Sequence, residues 1–323
     1  MRRYVIRRLL LAVLMLWVMS VFFFGLLHAI PGGPDAVIGA TNPRIGLAAR
    51  RAIRIKFGLD KPVPVQYVNW LTNAVHGDFG YSFISGRAVS DEIRDRVPAT
   101  LELFIAALGF ALVLAILLGV AAAVRQYSLG DYLITILAYA GISMPIFWIA
   151  LILQEIFGVQ LKILPTFGRS NLDTTGFSQL EVLQDYAVHL ILPMCVLSIQ
   201  FIAQWSRYLR SSMLDVIKQD YIRTARMKGL SSRAVFFRHA LRNALIPLVT
   251  VVAIGFGGIA GGAVITETVF AWPGLGSLFI RAAGLPDYPT LLAYLLLGAA
   301  SVILFNLIAD ILYAVIDPRI RYS

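Results

Sequence analysis

Residues 99–124 read ATLELFIAALGFALVLAILLGVAAAV, and Glu102 is the only charged residue among them. A helix needs roughly 20 mostly apolar residues to cross a hydrocarbon core about 30 Å thick. This stretch exceeds that length, whereas the apolar runs of soluble proteins are usually interrupted by charged residues. It therefore predicts a transmembrane helix, and so an integral membrane protein.

Five further runs share this length and apolar character. They are Leu9–Ala29, Tyr132–Val159, Val188–Tyr208, Ala244–Thr266 and Leu291–Ile316. The whole chain has 59% hydrophobic and 14% charged residues and a mean hydropathy of +0.77, whereas soluble domains carry about a quarter charged residues. The sequence predicts an all-α integral membrane protein with six transmembrane helices, including Ala99–Val124.

The first apolar run follows four arginines, so a cleaved signal peptide is an alternative to a membrane span. A signal peptide has an apolar region of about 7–15 residues and a cleavage site between small residues. Here the run is longer and ends in the sequence His28-Ala29-Ile30-Pro31. We therefore expect a retained first span.

Basic residues in short loops remain on the cytoplasmic side of a membrane. The segment Arg207–Arg242 carries nine Lys or Arg against two acids, and the N-terminus and the tail Asp317–Tyr322 are also basic. Six spans place these three segments on one side, which predicts that both termini are cytoplasmic. Nucleic-acid binding is a weaker explanation of the net charge of +10, because topology accounts for most of the excess.

The segment between the first two spans, Pro31–Pro98, is too long for a turn. The pattern Tyr67–Val75 predicts a short amphipathic helix, Gly77–Ser82 predicts a turn, and a further helix is expected from Ser90 to about Arg96. We expect a small cap on the outer face.

The basic inner loop, residues 209–243, contains signals for a short helix. Asp220 is a candidate N-cap, the helix would continue to Lys228, and Gly229 would end it in the left-handed conformation. Ile222, Ala225 and Arg226 fall on adjoining positions of one helix face.

A second helix is expected to follow in the same loop and to lead into the fifth span, past Pro247. Ser231 or Ser232 is its candidate cap. Composition leaves two interpretations of the loop open: docking of a partner protein, and a solvated or lipid-binding segment.

The fifth span contains closely spaced glycines. The pairs Gly257/Gly261 and Gly258/Gly262 lie four residues apart, which allows another helix to approach closely. The glycines of this stretch also fit a dinucleotide-binding motif, but no β-strand of a soluble domain precedes them. Helix packing is therefore the better interpretation.

The residues after this span, Glu267–Gly276, predict a helix break at Pro273 and Gly274. A break at the edge of the membrane suggests a re-entrant or interfacial plug, since irregular backbone there must be sheltered. Trp272 fits such a plug and fits an interfacial aromatic anchor equally well.

Catalytic and metal-binding patterns are absent from the sequence. It has no phosphate-binding G-x-x-x-x-G-K-[ST] loop, no H-E-x-x-H and no G-x-S-x-G, and its four histidines are far apart. The single cysteine, Cys195, excludes an intrachain disulfide. Glu155 and Asp310 are the candidate intramembrane acids of an ion-coupled transporter, and interfacial carboxylates are the simpler interpretation.

Two adjacent motifs carry a family resemblance: DYIRTARMKGL at residues 220–230 and HALRNALIP at residues 239–247. They resemble the inner-loop signature of peptide/nickel-type ABC importers, and specifically their B-type permease subunit. Further similar segments are 58–62, 77–80, 98–103, 143–148, 266–276 and 317–321, in the same order along the chain.

The resemblance implies that the inner loop forms a coupling helix, which sits in a cleft of a separate ATPase subunit. The residues expected at or beside that contact are Asp220, Tyr221, Arg223, Thr224, Ala225, Arg226, Lys228 and Gly229. Broader ABC importers have Glu-Ala-Ala where this chain has Arg223-Thr224-Ala225, so the usual glutamate is absent.

The resemblance also implies a domain order: 1–30 as the first helix, 31–98 as the cap, and 99–323 as an importer-type permease core. It implies a permease in the bacterial inner membrane with no enzymatic activity and no cofactor, moving dipeptides or oligopeptides. The expected partners are a homologous second permease, two ATPases that hold ATP and Mg, an extracytoplasmic binding protein and the bilayer.

We also expect an outer gate in this core, from the helix break beside paired glycines. Its candidate residues are Gly257, Gly258, Gly261, Glu267, Trp272, Pro273, Gly274 and Gly276. The chief rival interpretation is a stand-alone secondary transporter of small solutes, driven by an ion gradient.

Overall fold

The computed structural model describes residues 2–29, 55, 58–171, 173–258, 263–285 and 287–316. Within these residues the chain is helical and contains no strand, apart from one isolated antiparallel bridge between Tyr81 and Ala88. The helices are α1 Arg2–His28, α2 Val63–Val75, α3 Val89–Val124, α4 Leu129–Ser143, α5 Ile146–Gln160, α6 Gln179–Ile217, α7 Asp220–Met227, α8 Ser232–Phe256, α9 Val264–Val269, α10 Leu275–Gly284 and α11 Tyr288–Ile316.

Five of these helices are long and apolar enough to cross a membrane: α1 (from Ile6), α3, α6, α8 and α11. The pair α4 and α5 makes a sixth candidate, but the two helices meet at an angle of 108°. The expectation of one continuous helix over Tyr132–Val159 was therefore wrong. Pro145 lacks an N–H and disfavours helical backbone at Met144, whose ψ is 135°.

Two other helices are longer than the sequence suggested. The helix expected at Ser90–Arg96 and the second span form one helix, α3, which contains Pro98. The fourth span is part of α6, which begins at a capping box formed by Ser178 and Glu181. Polar residues hid these extensions, because they interrupt the apolar run without breaking the helix.

The chain divides into two compact units. Among the described residues, unit 1 comprises those of 102–257 and 304–316, and unit 2 comprises those of 2–101 and 258–303.

The core of unit 1 forms around α6, which packs against α4, α5 and α8. A glycine lies at a close approach on each of three neighbouring helices. A Cβ on Gly119 of α3 would lie 2.7 Å from the Ser206 carbonyl oxygen; on Gly141 of α4 it would lie 2.9 Å from Ile199. On Gly255 of α8 the distance to the Trp205 ring would be 3.1 Å. Small residues thus permit this packing.

Unit 2 is held by an aromatic cluster and a buried carboxylate. Phe24 of α1 packs edge-on against Tyr67 of α2, whose hydroxyl lies 2.8 Å from Ser20 Oγ. Buried Asp287 accepts hydrogen bonds from the Phe83 N–H at 2.9 Å and from the Ser82 hydroxyl. The predicted turn after α2, in which Gly77 and Gly80 are left-handed, is thereby attached to the start of α11.

Substitution of Gly119 tests the close approach to α6. Gly119→Ala is expected to lower the stability of the purified protein by about 1–3 kcal/mol, because the Ser206 carbonyl cannot move without shifting α6. Thermal unfolding in detergent measures the loss. Gly109→Ala on the same helix, where a Cβ meets nothing within 4 Å, is the matched control. Equal melting temperatures for the two variants would contradict this packing.

Candidate functional site

The short helix α7 begins one residue earlier than predicted. Asp220 is its first helical residue, and Gln219 is the cap, without a side-chain hydrogen bond. The prediction of Asp220 as N-cap was therefore wrong, although its charge still lies at the positive end of the helix dipole. Gly229 ends the helix with φ +76°, as expected.

The two faces of α7 differ sharply. Ile222 is fully buried and Ala225 is buried, and α7 packs on the first part of α8. Tyr221, Arg223, Thr224, Arg226, Lys228 and Gly229 are exposed. Asp220 is exposed as well, so the structure brings seven of the eight predicted contact residues to the surface and places Ala225 beneath them.

The residues that follow α7 lead directly into a long helix, as predicted. Ser231 caps α8 by accepting a hydrogen bond from the Ala234 N–H at 3.3 Å. The stretch Val235–Leu241 is π-helical, and α8 continues through Pro247. The Ser212 hydroxyl donates to the Ala244 carbonyl at 3.0 Å, which joins α6 to α8 beside α7.

An ion pair joins α6 to α4, with a buried carboxylate and a half-buried guanidinium. Arg210 donates two hydrogen bonds of 2.7 Å to Asp131, whose side chain is 3% exposed. Asp131 also accepts from the Tyr127 N–H at 2.9 Å, and Ser128 caps α4. The pair fixes the start of α4 to α6. Sequence reasoning missed it, since 79 residues separate the two partners.

In unit 2, the predicted break after the fifth span is confirmed. Helix α9 ends at Val269, Ala271 has φ +50°, and α10 starts after Gly274 in extended backbone. Trp272 is buried, and its indole N–H donates to the Ala99 carbonyl at 2.8 Å. The alternative of an exposed interfacial anchor is therefore wrong for Trp272.

Glu267 holds this irregular segment together. The carboxylate is fully buried and accepts hydrogen bonds from the Thr100 hydroxyl at 2.8 Å and the Ser277 N–H at 3.1 Å. The Thr100 oxygen in turn accepts from the Leu275 N–H at 2.8 Å. Burial raises the pKa of Glu267, and the hydrogen bond from Thr100 opposes that rise.

The glycines of the segment are required by this packing. A Cβ on Gly274 would lie 2.4 Å from the Glu267 carboxyl group, and one on Gly276 would lie 2.6 Å from Val264 Cα. Pro273 is exposed and Gly257 is buried. Gly258 is exposed, whereas Gly261 and Gly262, the second members of the predicted glycine pairs, lie outside the described residues.

Of the two candidate intramembrane acids, Asp310 is half-buried late in α11 and Glu155 lies in α5. Glu155 is exposed and accepts a hydrogen bond from Gln160 at 3.2 Å. Glu102, at the start of the second span, pairs with Arg169. Within the described residues, no group of three or more His, Cys, Asp or Glu side chains is arranged to hold a metal ion.

The Asp131–Arg210 pair gives a test of this arrangement. Arg210→Ala is expected to cost about 2–4 kcal/mol of stability, because it leaves a buried carboxylate without its cation. The double variant Asp131→Asn, Arg210→Ala should recover part of that loss. Thermal unfolding of the purified protein measures both. Arg87→Ala, which breaks an exposed pair with Asp95, should leave the melting temperature nearly unchanged, because solvent screens that pair. An equal loss in Arg87→Ala and Arg210→Ala would contradict the role of the Asp131–Arg210 pair.

Comparisons with known proteins agree with this architecture. Residues 115–322 match the family model described as "Binding-protein-dependent transport system inner membrane component", and residues 1–104 match the model for the N-terminal part of such membrane components. Two models thus cover nearly the whole chain.

Curated relatives are similar over their full lengths. The chain is 43% identical over 323 residues to an oligopeptide transport system permease protein of Bacillus subtilis. It is 39% identical over 335 residues to a dipeptide transport system permease protein of Alkalihalophilus pseudofirmus, and 39% identical over 323 residues to a glutathione transport system permease protein of Escherichia coli. In each case the similarity covers 100% of both chains.

The resemblance found in the inner-loop motifs is therefore confirmed. The chain belongs to the family of binding-protein-dependent transport system inner membrane components, and it is a multi-pass permease subunit of such a transporter in the bacterial inner membrane.

Proposed function

We propose that this permease is the B-type subunit of an ATP-driven importer of dipeptides or oligopeptides. The observation that carries the proposal is α7, a short helix with a basic exposed face that packs through Ile222 and Ala225 onto the core of unit 1. The full-length similarity to oligopeptide, dipeptide and glutathione permeases supports a peptide substrate.

The proposed complex contains four kinds of subunit. A homologous second permease forms the other half of the pathway, two cytoplasmic ATPases hold ATP and Mg, and an extracytoplasmic protein delivers the solute. This chain contributes no cofactor and no catalytic residue. The proposed topology has six spans with both termini in the cytoplasm, counting α4 and α5 as one bent span, which places α7 on the cytoplasmic side.

In the proposed coupling step, the exposed residues of α7 contact the ATPase and its buried residues transmit the movement. Arg223, Arg226 and Lys228 give this face a positive charge, which fits an acidic surface on the ATPase. Ala225 would act by packing, since the structure buries it. Nucleotide shifts the transporter between states only if the ATPase pair holds α7 differently in each.

The Glu267–Gly276 segment is proposed as part of the outer gate. Its irregular backbone is held by the Glu267 and Thr100 hydrogen bonds and by buried Trp272. Such a network has few alternative arrangements, because a movement within it would take the buried Glu267 carboxylate away from both Thr100 and Ser277. The segment would therefore move as a body when the pathway opens.

Charge reversal on α7 tests the coupling proposal. Arg223→Glu with Arg226→Glu is expected to lower ATP-dependent uptake at least tenfold, because both exposed charges would repel an acidic docking surface. Uptake of a labelled dipeptide by vesicles containing the complete transporter measures the effect, and copurification of the ATPases reports docking. Arg87→Glu in unit 2 is the matched control. Normal uptake and docking would contradict the proposal, as would uptake driven by an ion gradient without any ATPase.

Glycine substitutions test the gate. Gly274→Ala and Gly276→Ala are each expected to impair uptake at least tenfold while the subunits still assemble, since the added Cβ atoms displace Glu267 or Val264. Gly284→Ala, where a Cβ meets nothing within 4 Å, should transport normally. The comparison is made by uptake at equal amounts of purified complex. Unchanged uptake in the first two variants would refute the gate.

A further inference from the structure

The surface of α6 has a polarity opposite to that expected of a lipid-facing helix. Between Leu192 and Ser206 the only two exposed side chains are Gln200 and Gln204. The same face continues through Arg207, Tyr208 and Ser211, because residues three and four apart lie on one side of a helix. The exposed stripe of this span is therefore polar.

Hydrocarbon cannot satisfy these groups. An amide or guanidinium in a spanning helix faces the interior of a bundle or a water-filled cavity. Helix α4, beside α6, exposes Leu133, Ile136 and Leu137 instead, which suits lipid. A site for a lipid headgroup at the membrane edge would adjoin an apolar groove for the acyl chain. The surface of α6 next to Arg207 is instead polar, because Gln204 and Gln200 extend the stripe away from the charged end of the helix.

A pocket of about 420 Å³ lies between α4 and α6 on this stripe, entirely within unit 1. Besides Arg210, which Asp131 already binds, its lining comprises Thr135, Tyr139, Gln204, Arg207, Tyr208 and Ser211. These side chains supply hydroxyl and amide groups around a single guanidinium whose charge is not already neutralised.

Arg207 is held in place in this pocket. Its guanidinium carbon lies 4.1 Å from the centroid of the Tyr139 ring, and Nη2 lies 3.2 Å from the Tyr139 hydroxyl. Within the described residues no ion pair to Arg207 is formed. A guanidinium has five N–H donors in a planar fork that matches a carboxylate, and a stacked one is pre-organised to bind it.

We propose that the α6 stripe lines the aqueous pathway and that Arg207, with the hydroxyl and amide groups around it, binds the carboxylate of the transported solute. This inference rests on the proposed function, since peptides end in a carboxylate. The site lies at the end of α6 that leads to α7, and so in the cytoplasmic half of the proposed topology.

Cysteine labelling tests the site without relying on transport. Ser211→Cys is placed in a Cys195→Ala background and studied in inverted vesicles containing the complete transporter. The probes are an anionic sulfonatoethyl and a cationic trimethylammonioethyl methanethiosulfonate. Both should react if the pocket is wet. Arg207→Gln should lower the anionic-to-cationic rate ratio about tenfold by removing the nearby charge, and Arg87→Gln should leave the ratio unchanged.

Protection by peptides tests the ligand class. Trialanine should slow the anionic reaction when Arg207 is present, and trialanine amide should not. Arg207→Lys should keep most of the rate ratio and lose most of the protection, because an ammonium lacks the planar fork. Leu137→Cys should resist both reagents.

Several outcomes would overturn the inference. A Ser211→Cys that reacts with neither reagent would show a stripe covered by lipid or by the second permease. A rate ratio unaffected by Arg207→Gln, or equal protection by the acid and the amide, would exclude a carboxylate site. Loss of copurifying phosphatidylglycerol in Arg207→Gln, with peptide protection unchanged, would assign Arg207 to a lipid headgroup.

The proposed function is tested separately, by ATP-driven uptake in the unmodified complex. A complex that imports peptide but fails the labelling tests refutes only the site. A complex that binds trialanine at Arg207 but shows no ATP-driven uptake refutes only the proposed function.

Discussion

Close packing against α6 is the constraint on which unit 1 depends. Three neighbouring helices approach it at Gly119, Gly141 and Gly255, where an added Cβ would come within about 3 Å of α6. A bilayer offers no hydrophobic gain for burying one apolar helix against another, so van der Waals contact and hydrogen bonds must provide the attraction. Glycine permits that contact, and α6 is thereby held as the support from which α7 projects.

The polar interactions of unit 1 follow from this support. Because α6 is fixed, the Arg210–Asp131 pair can determine where α4 begins, and Ser212 can join α6 to α8. These bonds hold the helices that flank α7 in sequence, whereas α7 itself has only one buried face, formed by Ile222 and Ala225. A short helix is marginal in isolation. Its rigidity therefore comes from the elements beneath it, as a mechanical connection to another subunit would require.

Unit 2 uses a different device, namely buried carboxylates that hold irregular backbone. Glu267 organises the segment that connects α9 to α10, and Asp287 organises the turn that precedes α3. Each accepts several hydrogen bonds, which offsets the cost of removing the carboxylate from water. Each acid accepts from a backbone N–H that lies in a turn or in the first turn of a helix, at Phe83 for Asp287 and at Ser277 for Glu267. The irregular segments of unit 2 are thus fixed by specific hydrogen bonds, as the helices are.

The sequence by itself determined the membrane class, the long apolar helices, the left-handed end of α7 at Gly229 and the break near Gly274. Each of these depends on local chemistry: apolar length, a glycine with positive φ, or a proline. Only the tertiary structure decided the bend at Pro145, the Asp131–Arg210 pair, the burial of Trp272 and the outward polar stripe of α6. These features depend on which residues distant in the chain become neighbours. The spacing of apolar residues does not indicate which face of a helix is covered when most of the helix is apolar all round.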